Sequence, residues 1–330
     1  MTILRDRPVI ICGHPKAGTT LLRNLLDSHP QLVVFPEEAT FFRNFMPKSE
    51  GLDQERLLEL ARQELINVFE WNQENPPAHQ AGHLTQDYSD IDFEQVSARL
   101  AARMQADGLR HPGDMLSAAV LAYGDVIGAT SDRSRWWVEK TPYNEQFTEQ
   151  ILAWWPEALF IHIVRDPLDN YASYQRKQSG WTAGFFSANW NRSTRAGLEN
   201  LERYGPEKYL LLPYEDLVSQ PEENLNRICA FLGIEDDPTL RQPTKRGKLW
   251  RGNSMFEDKF NAISAAAVGR WETVLEPDQA ALIQLVTRKR RRALGYTSES
   301  KKSLQAFVSS LYWRIRPVLY DLVKGEKRDW

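Results

Sequence analysis

Cysteine is scarce in this chain of 330 residues, which contains only Cys12 and Cys229. Two cysteines cannot build the disulfide framework of a small secreted domain. The sequence also lacks the C-x-x-C and H-E-x-x-H patterns that mark common metal sites. These absences favour a reducing, cytoplasmic compartment and a protein without a bound metal.

Long apolar runs and a strong net charge are absent as well. No stretch approaches the roughly 18 consecutive apolar residues of a membrane span, so no transmembrane segment is predicted. Residues 1–7 form a short, charged stretch that does not resemble a targeting segment. The formal net charge of −3 excludes a nucleic-acid binder held by bulk charge. What remains is the composition of an ordinary globular protein, at a length that suits one α/β domain.

The most informative motif lies near the N-terminus. Four apolar residues run into a loop bounded by Gly13 and Gly18, and Thr19 and Thr20 then open a helix. This order predicts a strand, a phosphate-binding loop and a helix. The glycine spacing is that of a Walker A loop, but the usual lysine position holds Thr19, and the loop carries its cation at Lys16. An anion can still bind the backbone N–H groups at the helix N-terminus, in a different chemical setting.

Charged side chains also follow the next two predicted strands. Glu37 and Glu38 come shortly after residues 31–35, and Lys140 follows the predicted strand at residues 136–139. Ligands of open α/β sheets bind at the carboxyl ends of strands, so these groups are candidates for chemistry. Alternatively, the two glutamates charge the first turn of the next helix, and the lysine is an ordinary surface residue.

Arg165 ends the strongest predicted strand, residues 158–164, and Ser173 follows eight residues later inside a predicted helix. A guanidinium fork and a hydroxyl donor can bind one phosphate together. The alternative is that Arg165 forms a surface ion pair with Asp166 or Asp169.

We expect residues 1–300 to form one domain, with a helical insertion at about residues 45–132. The insertion either recognises an acceptor or forms a structural layer. Residues 301–330 are predicted to form an amphipathic helix that packs on its own domain, forms a homodimer or makes peripheral membrane contact.

Taken together, these motifs resemble those of sulfotransferases that use 3′-phosphoadenosine-5′-phosphosulfate (PAPS). The part similar to the family's 5′-phosphosulfate loop consists of Pro15, Lys16, Ala17, Gly18, Thr19, Thr20 and Leu21. Arg165 and Ser173 match its 3′-phosphate motif in type, spacing and order. The resemblance implies a three-layer α/β fold of the P-loop type, with a parallel sheet flanked by helices. It also implies PAPS as co-substrate, no metal, and a hydroxyl acceptor.

The resemblance is to one branch of that family more than to another. Cytosolic small-molecule enzymes place a histidine shortly after a Lys-Thr pair, but here Lys140 and Thr141 are followed by Pro142. Membrane-bound carbohydrate and protein-tyrosine sulfotransferases use a glutamate after the first loop, and Glu38 falls at that position. The absence of a predicted anchor suggests a soluble, microbial-type relative.

The resemblance also implies roles for individual residues. Glu38 would take the acceptor proton, Lys16 would neutralise the departing 5′-phosphate, and Lys140 would hold the sulfuryl oxygens. The remaining predicted donor contacts are Thr19 and Thr20 with the loop N–H groups for the 5′-phosphate, Arg165 and Ser173 for the 3′-phosphate, and Tyr214 and Ser254 as pocket-lining side chains.

The sequence is also compatible with two other functions. A P-loop kinase fits the first loop, although it needs a metal-binding acid and usually the Walker lysine. A non-catalytic nucleotide-binding protein fits the fold, although binding alone requires no base such as Glu38. The acceptor, whether glycan, tyrosyl group, lipid or small molecule, has no sequence signature.

Overall fold

The computed structural model describes residues 3–74, 87–177, 180–252, 256, 262–297 and 304–313. The predicted pocket residue Ser254 lies outside these ranges. Five parallel strands form the main sheet: β1 (Pro8–Cys12), β2 (Leu32–Val34), β3 (Trp136–Lys140), β4 (Leu159–Val164) and β5 (Tyr209–Pro213). A short antiparallel pair, β6 (Thr244–Lys245) and β7 (Lys248–Leu249), lies apart from it.

The strand order in the sheet, β2-β3-β1-β4-β5, places the predicted site residues side by side. β1 lies between β3 and β4, with Ile11 opposite Lys140 and Cys12 opposite His162. The loop after β1 is therefore flanked by Lys140 at the end of β3 and by Arg165 just after β4. The strands inferred from the apolar runs are confirmed, with ends that shift by one residue.

Helices account for most of the remaining described chain. They are α1 (Thr19–Leu26), α2 (Met46–Ser49), α3 (Gln54–Ala61), α4 (Val68–Glu74), α5 (Phe93–Asp107), α6 (Gly113–Val126), α7 (Thr148–Trp154), α8 (Pro167–Lys177), α9 (Ala183–Tyr204), α10 (Tyr214–Ser219), α11 (Pro221–Leu232), α12 (Trp271–Val274) and α13 (Pro277–Ala293). Residues 304–313 form one more helix. None of the described helices is both long and apolar enough to cross a membrane.

Both faces of the main sheet are covered by helices. In β1, Ile10 belongs to a core shared with α5 and α6, whereas Val9 and Ile11 belong to a second core with α1, α10 and α11. A parallel sheet buried on both faces explains why its strands are continuous apolar runs instead of alternating ones. The α/β fold class is confirmed.

Aromatic side chains between β2 and β3 fill the first core. The ring of Phe69 lies 5.3 Å from that of Tyr123 and 5.2 Å from those of Tyr88 and Phe93, measured between centroids. Phe69, Tyr88 and Tyr123 are almost completely buried. These four side chains therefore build a structural layer, which was one of the two interpretations open from the sequence.

Candidate active site

The loop after β1 is shaped by backbone conformations that favour glycine. Gly13, Lys16 and Gly18 have φ angles of 129°, 64° and 108°. At Gly18 a Cβ atom would lie 2.5 Å from the Cδ2 atom of Tyr214, so a side chain there would displace the aromatic ring. Gly18 directly precedes α1, whose first-turn N–H groups have no acceptor within the helix. The loop is thus built to bring backbone donors to an anion.

Polar groups from later segments fix this loop in place. The Gly13 N–H donates to Oε2 of Glu145 at 3.0 Å, and the Asn170 side-chain amide donates to the Pro15 carbonyl at 2.8 Å. The Tyr143 N–H donates to the Gly13 carbonyl at 3.1 Å. Glu145 is buried, and this burial raises the pKa of its carboxyl group. The loop conformation therefore depends on residues more than 120 positions away in the sequence.

Arg165, just after β4, is the residue predicted to bind a second anion. Its Nη1 donates to the Lys16 carbonyl at 3.2 Å and to Oγ of Ser173 at 3.3 Å, and its Nη2 donates to the Ala267 carbonyl at 2.9 Å. The guanidinium lies 4.5 Å from the ring centroid of Tyr214. Its Nε is buried and lacks a hydrogen-bond partner among the described residues. A buried N–H donor without an acceptor is costly, so an anion at this position would satisfy it.

Two carboxylates hold the turn that carries Arg165. Glu215 accepts from the Asp166 N–H at 2.9 Å and from the Tyr296 hydroxyl at 3.0 Å. Asp169 accepts from the N–H groups of Gly269 and Trp271 at 2.7 and 2.9 Å. Burial raises the pKa of both carboxyl groups. Arg165 is therefore not part of a surface ion pair with Asp166 or Asp169, because it is buried and its Nη1 and Nη2 atoms donate to Lys16, Ser173 and Ala267.

Glu38 and Lys140 form an ion pair on the other side of the loop. The Lys140 side chain is only 2% exposed, whereas the Glu38 side chain is 43% exposed. Burial lowers the pKa of Lys140, and the adjacent Glu38 carboxylate opposes that shift. The buried ammonium group of Lys140 thus fixes the position of the accessible Glu38 carboxylate.

Glu37 has a different environment from its neighbour. It accepts from the Tyr88 hydroxyl and from the Lys245 ammonium, the latter at 2.5 Å, and its side chain is 12% exposed. Burial lowers the pKa of Lys245 to about 8, against the raising effect of Glu37. Glu37 therefore joins β6 to the segment after α4, which distinguishes it from the more exposed Glu38.

A cavity of about 400 Å³ brings most of the predicted residues together. Those that line it are Pro15, Lys16, Gly18, Thr19, Thr20, Leu21, Glu38, Arg165, Ser173 and Tyr214. Ala17 and Lys140 are buried and are not among its lining residues. Further walls come from Arg43, Pro142, Tyr143, Tyr174, Trp181, Pro243, Trp250 and Arg270. The lining of this one cavity therefore combines cationic groups, a carboxylate and aromatic surface.

Residues 8–238 match the sequence model of a family described as the sulfotransferase family. The chain belongs to the sulfotransferase family. The matched residues include the loop after β1, the Glu38–Lys140 pair and the Arg165 turn. The family predicted from the two motifs is confirmed, and the protein is a sulfotransferase enzyme.

This sulfotransferase is similar to proteins from animals and bacteria. Protein-tyrosine sulfotransferase A of Caenorhabditis elegans is 23% identical over 299 residues, which span 87% of this chain and 67% of that protein. An omega-hydroxy-beta-dihydromenaquinone-9 sulfotransferase of Mycobacterium tuberculosis is 27% identical over 280 residues, spanning 73% of this chain and 67% of that one. The sulfotransferase domain of the Synechococcus PCC 7002 olefin synthase superimposes with a TM-score of 0.57 at 21% identity, covering 89% and 96% of the two chains. The structural match shows a shared fold.

Beneath the first loop of the sulfotransferase, Cys12, Glu145 and His162 bring potential metal-ligand atoms within 4.8 Å of one another. Both Glu145 oxygens already accept protein hydrogen bonds, and Nδ1 of His162 lies 2.7 Å from the Tyr209 hydroxyl. Burial raises the pKa of the Cys12 thiol, which disfavours the thiolate, and it lowers the pKa of His162 to about 3, which keeps the imidazole neutral. We interpret the group as a buried hydrogen-bond cluster that supports the loop.

Glu139 was missed by the sequence reasoning, although it supports the segment that carries Glu38. Its carboxylate accepts from the Ala39 N–H at 3.3 Å, from the Asn144 amide at 2.9 Å and from the Thr141 hydroxyl. It is fully buried, and burial raises its pKa from 4.5 to about 7. An acidic residue inside the apolar strand β3 was the available signal.

The raised pKa of Glu139 predicts a pH-dependent stability. Between about pH 4.5 and 7 the folded protein keeps this proton while the unfolded chain loses it, so the free energy of unfolding falls as pH rises. At about 1.4 kcal/mol per pK unit, the free energy of unfolding falls by at most about 3.5 kcal/mol. In urea titrations between about pH 4.5 and 7, we expect the free energy of unfolding of Glu139→Gln to fall less with rising pH than that of the wild type. Glu202→Gln, at an exposed position, is the control, and parallel pH curves for wild type and Glu139→Gln would refute the assignment.

Proposed function

We propose that this sulfotransferase transfers the sulfuryl group of PAPS to a hydroxyl acceptor by in-line displacement, with Glu38 as general base. The observation that carries the proposal is the convergence of Lys16, Glu38 and Arg165 on one cavity, each from a loop after a different strand. A binding protein would need the two cations, but it would not need an accessible carboxylate next to them. We also keep the assignment of residues 1–300 to one domain, with 301–330 as an extension.

The chemistry of the donor fits the cationic groups that line the cavity. PAPS has anionic groups at the 5′ and 3′ positions of its ribose. Lys16, Thr19, Thr20 and the N–H groups of the first turn of α1 would bind the 5′-phosphate. Arg165 and Ser173 would bind the 3′-phosphate, with the unpartnered Nε–H of Arg165 supporting an anion there. Tyr214 contacts both Gly18 and Arg165, so it would fix the distance between the 5′-phosphate loop and the 3′-phosphate site.

Glu38 would accept the proton of the acceptor hydroxyl as its oxygen attacks sulfur. The bond from sulfur to the bridging oxygen of the 5′-phosphate breaks as the bond from sulfur to the acceptor oxygen forms. Lys16 would neutralise the charge that develops on this leaving oxygen. The sequence suggested that Lys140 holds the sulfuryl oxygens. Its burial against Glu38 favours a revised proposal, in which it orients that carboxylate and keeps it ionised.

The acceptor is proposed only as a hydroxyl compound. The names of the two relatives specify acceptors of different kinds, a protein tyrosine and an omega-hydroxy quinone. Each of these carries a hydroxyl group. Tyr143, Tyr174 and Trp181, which line the same cavity as Glu38, would provide the apolar surface for such an acceptor.

Replacing Arg165 tests the donor assignment. We expect the wild type to bind 3′,5′-ADP about 10- to 100-fold more tightly than 5′-ADP, because hydrogen bonds to a charged group contribute about 1.5–3 kcal/mol. In Arg165→Ala this ratio should fall towards one in isothermal titrations without added metal. Arg43→Ala removes another arginine from the same cavity and should leave the ratio unchanged. An equal ratio in wild type and Arg165→Ala would contradict the 3′-phosphate role.

A further inference from the structure

The helix at residues 304–313 turns its large apolar side chains away from the protein. Ala306 and Ser310 are buried, and the indole of Trp313 approaches the backbone of Gly184 in α9. Leu304 and Val308 are 79% and 60% exposed. The outward set, which we name the apolar face, consists of Leu304, Phe307, Val308, Leu311 and Tyr312. A surface helix of a globular protein normally has the opposite arrangement, so this face is built to be covered by something else.

A row of aromatic rings connects the helix that carries the apolar face to the wall of the cavity. Trp313 lies 6.5 Å from Phe185, Phe185 lies 4.6 Å from Trp181, and Trp181 lies 4.7 Å from Tyr174, measured between ring centroids. Trp181 and Tyr174 line the cavity, and Phe185 is itself partly exposed. Whatever covers the apolar face is therefore linked by packed aromatic side chains to the wall of the cavity.

The charges next to the helix indicate what covers it. In the sequence, Lys301 and Lys302 precede it and Arg314 and Arg316 follow it, against the single nearby acid Glu299. The whole chain has a net charge of −3, so this local basic character is not a general property of the protein. Apolar side chains flanked by basic residues are typical of helices that lie in the interface of an anionic bilayer.

A second copy of the chain is a poorer occupant. Pairing two such helices, in either direction, would bring cationic ends against cationic ends, which is unfavourable. A ten-residue helix is also only about 15 Å long, and stable interfaces bury about 800 Å² per partner.

We propose that the apolar face docks on an anionic lipid bilayer and thereby holds the protein at the membrane surface. The side chains of the apolar face would enter the boundary between headgroups and acyl chains, and the helix would lie in the plane of the interface. This inference rests on the exposure and charge of the helix and is independent of the reaction proposed above.

Vesicle sedimentation of the full chain tests this proposal without measuring activity. We expect the wild type to sediment with phosphatidylcholine vesicles that contain phosphatidylglycerol, to bind pure phosphatidylcholine weakly, and to be released by salt. The double variant Leu304→Glu with Val308→Glu should reduce the partition coefficient at least about tenfold. Trp71→Glu, which charges an exposed aromatic position on α4, should bind like the wild type.

Folding and oligomeric state complete the test. Because both substituted side chains point outward, the double variant should unfold at the same temperature as the wild type. Equal vesicle binding by wild type and double variant would overturn the proposal. It would also be overturned if the wild type failed to bind vesicles and light scattering showed a dimer that the double variant abolished.

Discussion

Glu38→Gln is expected to lower kcat by about 10²–10⁴-fold, the usual contribution of a general base. The amide keeps the size of the side chain but cannot accept the proton of the acceptor hydroxyl. Affinity for 3′,5′-ADP should change little, because Glu38 is assigned to the acceptor hydroxyl and to neither phosphate. The measurement is single-turnover kinetics at saturating PAPS beside a nucleotide titration.

Glu37→Gln is the matched control for that experiment. Glu37 is the adjacent carboxylate, but it is held by Lys245 and Tyr88 and is mostly buried. Breaking this pair should lower the free energy of unfolding, by up to about 3–5 kcal/mol, while kcat of the folded fraction stays close to that of the wild type. If Glu38→Gln kept near-wild-type turnover, or if both variants lost kcat equally, Glu38 would not be the base.

Lys16→Met is expected to lower kcat by about 10²–10³-fold, as found when an electrostatic donor to a developing anion is removed. Methionine is similarly long and unbranched, so the substitution removes the charge and leaves most of the volume. The loss should appear mainly in kcat, since charge develops on the leaving oxygen only as the bond to sulfur breaks.

A lysine elsewhere on the surface provides the comparison for Lys16. Lys248 in β7 pairs with Asp90, and Lys248→Met should leave both kcat and the affinity for PAPS unchanged. A Lys16→Met enzyme with normal kcat and weakened PAPS binding would show that Lys16 only binds the donor. That result would contradict its role in the transition state.

The positions of the main functional groups followed from the sequence because they depend on local order. Parallel strands present their carboxyl ends at one edge, so polar residues placed directly after apolar runs must converge there. Lys16, Glu38 and Arg165 satisfy this rule and line one cavity. Lys140 also lies at a strand end, but its burial behind Glu38 depends on side-chain packing that no local pattern encodes.

The roles of the buried carboxylates Glu139 and Glu145 could not be predicted either, because their contacts join residues that are distant in the sequence. Glu139 contacts the Ala39 N–H, and Glu145 contacts the Gly13 N–H, across separations of 100 and 132 residues. Such contacts exist only once the sheet order is known. Likewise, the residue pattern alone left Glu37 and Glu38 nearly equivalent, and only the family resemblance favoured Glu38. In the structure their partners distinguish them, because Glu37 is held by Lys245 and Tyr88 whereas Glu38 pairs with Lys140.

The most direct test of the proposed reaction is transfer of labelled sulfuryl from PAPS to a panel of glycan, tyrosyl, lipid and small phenolic hydroxyls in the presence of EDTA. Mass spectrometry would quantify the sulfated product and 3′,5′-ADP together. We predict one sulfated hydroxyl for each 3′,5′-ADP formed, with no requirement for added metal. Phosphorylation of an acceptor from ATP and Mg²⁺, with PAPS left intact, would contradict the account.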